Sequence, residues 1–239
     1  MNMKKLSLLA LALLISVLPV LSFADEPVVT AIDELWGKPT YVYGAALNEE
    51  QIQTTARLLN VDNLENVNMV DVNANDLQRY LGISSNDSVM ISSAVVTRTG
   101  GNEGINVSIE TPENITRVTE TQYTNAAITA GIENVDIKIG AYTPVTGESA
   151  LTGIYKAFEV NGETLDPDRM KVAQDEVEVV SEINQENLGK EDYDEASFNT
   201  VIIEIKEKLA DNKDSTGSVA TREEIERIIR EAIEKYNLG

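Results

Sequence analysis

Forty aspartates and glutamates are the abundant proton-transfer groups of this 239-residue sequence, which contains no cysteine and no histidine. That absence excludes disulfides, thiolate nucleophiles, zinc sites of the usual Cys/His kinds and every Ser-His or Cys-His dyad. Carboxylate chemistry remains. Two carboxylates flanking a cleft, one with a pKa raised by an apolar pocket, hydrolyse glycosidic bonds, and clusters of carboxylate and carbonyl oxygens hold calcium. The pairs Glu49/Glu50, Glu110/Glu113 and Glu223/Glu224 sit among polar neighbours, where nothing would raise the pKa of one member, so they read as solvated surface. No Ser-x-x-Lys and no Gly-x-Ser-x-Gly occurs.

Two spacings imitate ligand loops. Asp71-x-Asn73-x-Asn75 opens like a calcium loop, but Asp76 stands where the sharp turn needs glycine and Gly82 where the bidentate glutamate belongs. A strand end followed by an Asx helix cap accounts for it. Gly147 to Gly153 echoes a phosphate loop with the wrong spacing and no Lys-Ser/Thr behind it. Its surroundings, Thr143, Thr146, Glu148 and Ser149, form the one candidate ligand rim. The competing reading is packing, with Ala126, Ala127, Ala130, Ala150 and Gly153 letting helices approach a sheet closely. No catalytic residue, cofactor site or metal site is assigned, and weak calcium binding by the acidic surface is left open.

The formal charge of −21 repels phosphate backbones, so nucleic acid is not an expected partner. Lys4 and Lys5, the apolar run Leu6 to Val20 and Ser22-Phe23-Ala24 have the layout of a secretory signal peptide over residues 1–24, cleaved before Asp25. The run is shorter than a bilayer span, so stable membrane insertion is not expected after cleavage. Cleavage removes both lysines, leaving 17 basic against 40 acidic residues, a formal −23. The expected location is extracellular, in the medium or the cell envelope. A cysteine-free exported protein suits a bacterium.

The elements that must position these residues follow from periodicity. After a lead-in over 25–39, in which Trp36 is a candidate anchor, Tyr41 to Ala46 reads as a buried strand. Asn48 and Gln51 then form a capping box, Val67–Val72 a second strand, and Leu77, Tyr80 and Leu81 a short helix stopped by Gly82. Val89, Ile91 and Val95 alternate with polar residues, as do Ile105, Val107 and Ile109, which predicts two antiparallel strands joined by the glycine-rich loop Gly100 to Gly104. Ile115 to Thr119 predicts another short strand. A helix ending at Gly131, a strand over Val135, Ile137 and Ile139, and a helix carrying Leu151, Ile154, Tyr155 and Phe158 complete an α/β or α+β domain over 40–160, with a mixed sheet of four to six strands. Residues 163–239 hold 21 acidic and 10 basic residues and read as a helical extension. Its final part is a hairpin with seams at Phe198, Ile202, Ile205, Leu209 and at Ile225, Ile229, Ala232, Tyr236, joined by a turn over 211–218. Ile203, Ile228 and Ile233 lie off those seams and require cover from the 166–186 helix and the core, or from another chain. A monomer is expected, because chains of this charge repel one another.

Asn114 to Gly131, with its Tyr/Asn/Ala helix and Thr-Ala-Gly stop, and Pro144 to Glu159, with Ala-Leu-Thr-Gly, resemble the YpuA-like family of exported Gram-positive proteins. Tyr43 to Gln51, Gln78 to Gly82, Ile91 to Ser93 and Gly104 to Val107 extend the resemblance over about residues 40–190. It implies an extracellular domain of unknown function, with no catalytic residue or cofactor to carry over. The expected role is a non-catalytic binding or interaction protein with an envelope or extracellular partner. A carboxylate-dependent hydrolase of cell-wall glycan is the alternative.

Overall fold

A computed structural model describes residues 36–101, 103–190, 193–216 and 220–236. The expected signal peptide, the lead-in before Trp36 and part of the final turn lie outside the described residues. The chain divides into two compact units, one ending at Val177 and the other beginning again at Glu178, with the border inside one long helix.

The first unit is built on a five-stranded mixed sheet: β1 (Thr40–Gly44), β2 (Asn68–Val72), β3 (Ser93–Arg98), β4 (Ile105–Ile109) and β5 (Val135–Gly140), in the order β2-β1-β3-β5-β4. β1 pairs parallel with β2 and β4 parallel with β5, while β3 is antiparallel to both of its neighbours. Four strands therefore run one way around a reversed central strand. Two parallel pairs demand two crossovers, supplied by α1 (Glu49–Leu58) between β1 and β2 and by α3 (Glu120–Ala130) between β4 and β5. The short α2 (Ala74–Leu81) follows β2, and α4 (Glu148–Val160) follows β5.

Strand alternation divides the core. Val42, Ala94, Val96, Ile137 and Ile139 face the side carrying α2, α3 and α4, together with Tyr123, Ile154, Tyr155 and Phe158. Tyr41 and Val95 face the opposite side, where Ala56 and Leu59 pack on them. α4 lies so close to the sheet that a Cβ added at Gly153 would be 3.1 Å from Val42 Cγ1. Its far side is tied to α2 by Lys156 Nζ to Asp76 Oδ2 at 2.6 Å and by Glu159, which accepts from Tyr80 Oη and pairs with Arg79 at 2.8 Å. The Tyr80 hydroxyl, with the arginine behind it, holds the Glu159 carboxyl below its usual range.

Trp36 does act as an anchor. Its ring meets Phe158 edge-on at 4.9 Å, and its indole N–H donates to Glu163 Oε1 at 2.9 Å, an oxygen that Arg98 also pairs with at 3.1 Å.

Four local expectations are corrected. The strands on either side of the glycine-rich loop, β3 and β4, do not pair with each other, because β5 lies between them. Val89 belongs to a 3-10 turn, Asp87–Val89, instead of a strand, and β3 begins at Ser93 with both faces buried over its first four residues. Being central and covered on both sides, β3 lacks the in–out alternation that marks a half-exposed strand. Residues 115–119 form no strand of the sheet; Ile115 makes an isolated parallel bridge to Val145. The penultimate helix runs to Thr216, well into the expected turn.

The second unit contains the end of α5 (Pro167–Asn187), α6 (Glu195–Thr216) and α7 (Arg222–Lys235). The early turns of α5 belong to the sheet's core through Met170, Ala173 and Val177. Its later residues Val180 and Ile183 join Phe198, Val201, Ile202, Ile205, Ile228, Ile229 and Ala232 in a separate cluster. Off-seam Ile228 is thus covered within its own chain, Ile233 is partly so, and Ile203 stays 38% exposed. Glu204 joins the last two helices, accepting from Lys235 Nζ at 2.8 Å and pairing with Lys208 at 3.0 Å.

Two predictions follow from these contacts. A Cβ at Gly44 would lie 1.9 Å from the Met90 carbonyl oxygen, a backbone atom, so Gly44→Ala should lower the urea midpoint by the equivalent of about 3 kcal/mol or more at unchanged m-value. The hydrogen bond from Lys235, then that from Lys208, lowers Glu204 to about 2, so its carboxyl resonance should titrate near about 2 by NMR. A depressed folded pKa contributes stability present above the unfolded value and lost as pH falls through the folded one. Lys235→Ala should therefore move the Glu204 titration upward and weaken the acid sensitivity of the helical unit's melting.

Candidate functional site

The carboxyl ends of β1, β2, β4 and β5 share one edge of the sheet, and α1, α2, α3 and α4 all begin there. In open α/β sheets ligands bind at this edge, where neighbouring parallel strands send their chains to opposite faces. Here β1 leads to α1 on one face and β5 to α4 on the other, with the start of β3 between them. The gap beside β1 is filled by the chain's own residues. Met90 is fully buried, its carbonyl oxygen accepts from Ala46 N at 3.1 Å, and Gly44 passes against it without room for a side chain.

The edge continues on the other side, over β5 and β4. The loop before α4 and the loop before α3 bind each other through their backbones: Val145 N donates to Asn114 O at 2.8 Å, Thr116 N to Val145 O at 2.9 Å and Val118 N to Thr146 O at 3.3 Å. Asn114 Nδ2 donates to Ala141 O at 2.8 Å, and Ala141 N donates to Thr111 Oγ1 at 2.9 Å. Gly147, the N-cap of α4, gives the buried Tyr123 hydroxyl an acceptor in its carbonyl oxygen at 2.7 Å. Burial pushes the Tyr123 hydroxyl far above its usual pKa, so it remains a donor.

The expected rim residues separate on this frame. Thr146 is exposed and Thr143 and Glu148 are half-buried, whereas Ser149 is buried and hydrogen-bonded to Ser92 beneath the surface. Glu148 uses both oxygens: Oε1 pairs with Arg117 Nη1 at 2.9 Å and Oε2 accepts from Thr146 Oγ1 at 2.5 Å. It also stands in the first turn of α4, where a negative charge is favoured by the exposed backbone N–H groups. Arg117 is the rim member that sequence reasoning missed. It lies 31 positions from Glu148, and no local spacing links the two.

The calcium-like stretch is a helix cap. Asn73 Oδ1 accepts from Asn75 N and Asp76 N, Asp76 Oδ2 accepts from Asn73 N and Lys156 Nζ, and Asp87 Oδ1 accepts from Ala74 N. Among the described residues no group of three or more acidic side chains is placed to hold a metal ion, and no helix is long and apolar enough to cross a membrane. The carboxylates that burial lifts above their usual range, Asp175 and Glu195, belong to different units.

Tyr123→Phe tests the frame under the rim. It removes the hydroxyl donor from the Gly147 carbonyl oxygen, which still accepts from Ala150 N at 3.0 Å, and should cost about 0.5–1.5 kcal/mol in chemical denaturation, with an unchanged far-UV spectrum.

Comparison with known proteins places the chain. It is 31% identical to the "Uncharacterized protein YpuA" of Bacillus subtilis (strain 168) over 241 residues, covering 99% of this chain and 76% of that one. No solved structure matches it. Residues 43–239 match the family described as "Protein of unknown function (DUF1002)", from β1 through the last helix. The chain belongs to that family.

Proposed function

We propose that this protein is exported and acts in the cell envelope or medium as a non-catalytic binding protein, engaging a polar ligand or partner with the rim Thr143, Thr146, Glu148 and Arg117. The observation that carries the reading is the position of that rim: it is a polar, partly solvated stretch of the edge where four parallel strands end and four helices begin. The two loops bearing it are locked together by backbone hydrogen bonds, so the rim is held in place before a ligand arrives. Arg117 and Glu148 are partly solvated, with side-chain exposures of 22% and 25%, and pair through Arg117 Nη1 alone, leaving the buried Arg117 Nε without a partner. The layout of Lys4, Lys5, Leu6 to Val20 and Ala24 supports export.

One preparation tests both parts. Protein recovered from the medium and envelope of producing cells should begin at Asp25. An ion pair this far from full exposure is worth more than the about 0–1 kcal/mol of a solvated one, so Arg117→Ala and Glu148→Gln should stay folded but melt several degrees below the parent. Each should lose the envelope component that the parent captures. Retention of residues 1–24 in the envelope fraction overturns the export reading. Undiminished capture by both folded variants overturns the rim.

A further inference from the structure

We infer that Asn161 is a latent deamidation site, held unreactive by the hydrogen bonds of the fold and released only when the carboxyl end of α4 opens. Asn161-Gly162 is the one Asn-Gly dipeptide in the sequence. In an unfolded chain a glycine after asparagine leaves its backbone nitrogen unobstructed, because no Cβ screens it. The reaction is self-contained. The Gly162 nitrogen, losing its proton to hydroxide, attacks Asn161 Cγ; the Cγ–Nδ2 bond breaks, ammonia leaves, and a succinimide forms. Water then opens the ring at either carbonyl, giving aspartate or isoaspartate.

Each requirement of that attack is blocked in the folded chain. The nucleophile is occupied, since Gly162 N donates to Glu159 O at 3.0 Å as α4 ends. The leaving group is held, since Asn161 Nδ2 donates to Ala157 O at 2.7 Å and to Thr40 Oγ1 at 2.8 Å. The turn itself is closed by Glu163 N donating to Phe158 O at 3.0 Å, with Gly162 at φ +87°. Thr40, at the start of β1, is fully buried, so the tie reaches from the helix end into the sheet.

The product would not fit the same seat. Aspartate at 161 replaces the amide donor with a carboxylate that faces the Ala157 carbonyl oxygen and can keep only the Thr40 hydroxyl, now as donor, and isoaspartate also lengthens the backbone at the turn. Glu163, directly beyond it, holds the indole N–H of Trp36, the only tryptophan of the chain. Opening followed by reaction is therefore one-way, and it leaves a mark at a place where fluorescence reads it.

The full mature protein, incubated at mildly alkaline pH with and without urea, tests the inference by peptide mapping of residue 161. The native protein should deamidate at least about tenfold more slowly than the unfolded one, because reaction then tracks the small open fraction. Thr40→Val, which removes one acceptor, should speed the native reaction without altering the urea-unfolded rate. Asn161→Asp should shift Trp36 emission and lower the melting temperature. Equal rates in native and unfolded protein would overturn the inference. So would a native rate unchanged by Thr40→Val in a variant shown to be folded by Trp36 emission, or an Asn161→Asp protein that matches the parent in both emission and melting.

Discussion

The seat of α4 on the sheet is the contact on which the rest of the first unit depends. With Ala150, Gly153 and Ala157 fully or almost fully buried, the helix backbone comes down onto the strands until Gly153 meets Val42. Small residues make that approach possible, and dispersion across a close-packed seam makes it favourable. Everything near the candidate rim inherits its position from this seat. Glu148 begins the helix, Ser149 bonds inward to Ser92, Lys156 and Glu159 fasten α2, and Phe158 and Asn161 close the far end against Trp36 and Thr40. A side chain larger than hydrogen at 153 would raise the helix, and both of its ends would move.

Local chemistry was legible in the sequence wherever it is written in neighbouring residues. The capping box at Asn48/Gln51, the left-handed stops at Gly82 and Gly131 and the alternation of β5 are all as their spacings indicated. The class of fold followed from them. Strand order did not, because pairing β3 between β1 and β5 brings together segments that share no local pattern. β3 itself was misplaced for a related reason: covered on both faces, it has no polar side to announce its register. Ile115 to Thr119 has a strand-like composition, yet its backbone partner is a loop, so it ends as a single bridge.

The candidate site was legible in the same partial way. Thr143, Thr146 and Glu148 are polar residues just before and at a helix start, a position that sequence alone marks as surface. Ser149 carries the same signal but is turned inward by the helical rotation, which places it over Ser92. Arg117 becomes part of the rim only because residues 114–118 and 145–146 run side by side. The Asn and Asp residues of the calcium-like stretch were resolved by arithmetic on their oxygens: atoms that accept from helix N–H groups and from a lysine are already employed.

One arrangement at the border of the sheet bears on how this protein tolerates crowding by its own copies. β4 is an outer strand, and such a strand offers unpaired backbone groups to any second chain. At its carboxyl end the N–H of Ile109 is already taken at 2.7 Å by the Glu120 carboxylate from the first turn of α3. An incoming strand therefore meets a ladder whose last rung is occupied, and to displace the occupant it must leave an ionised side chain without its donor beside it. The same carboxylate satisfies a backbone group and acts as a gatekeeper, so that the sheet ends where the chain ends it.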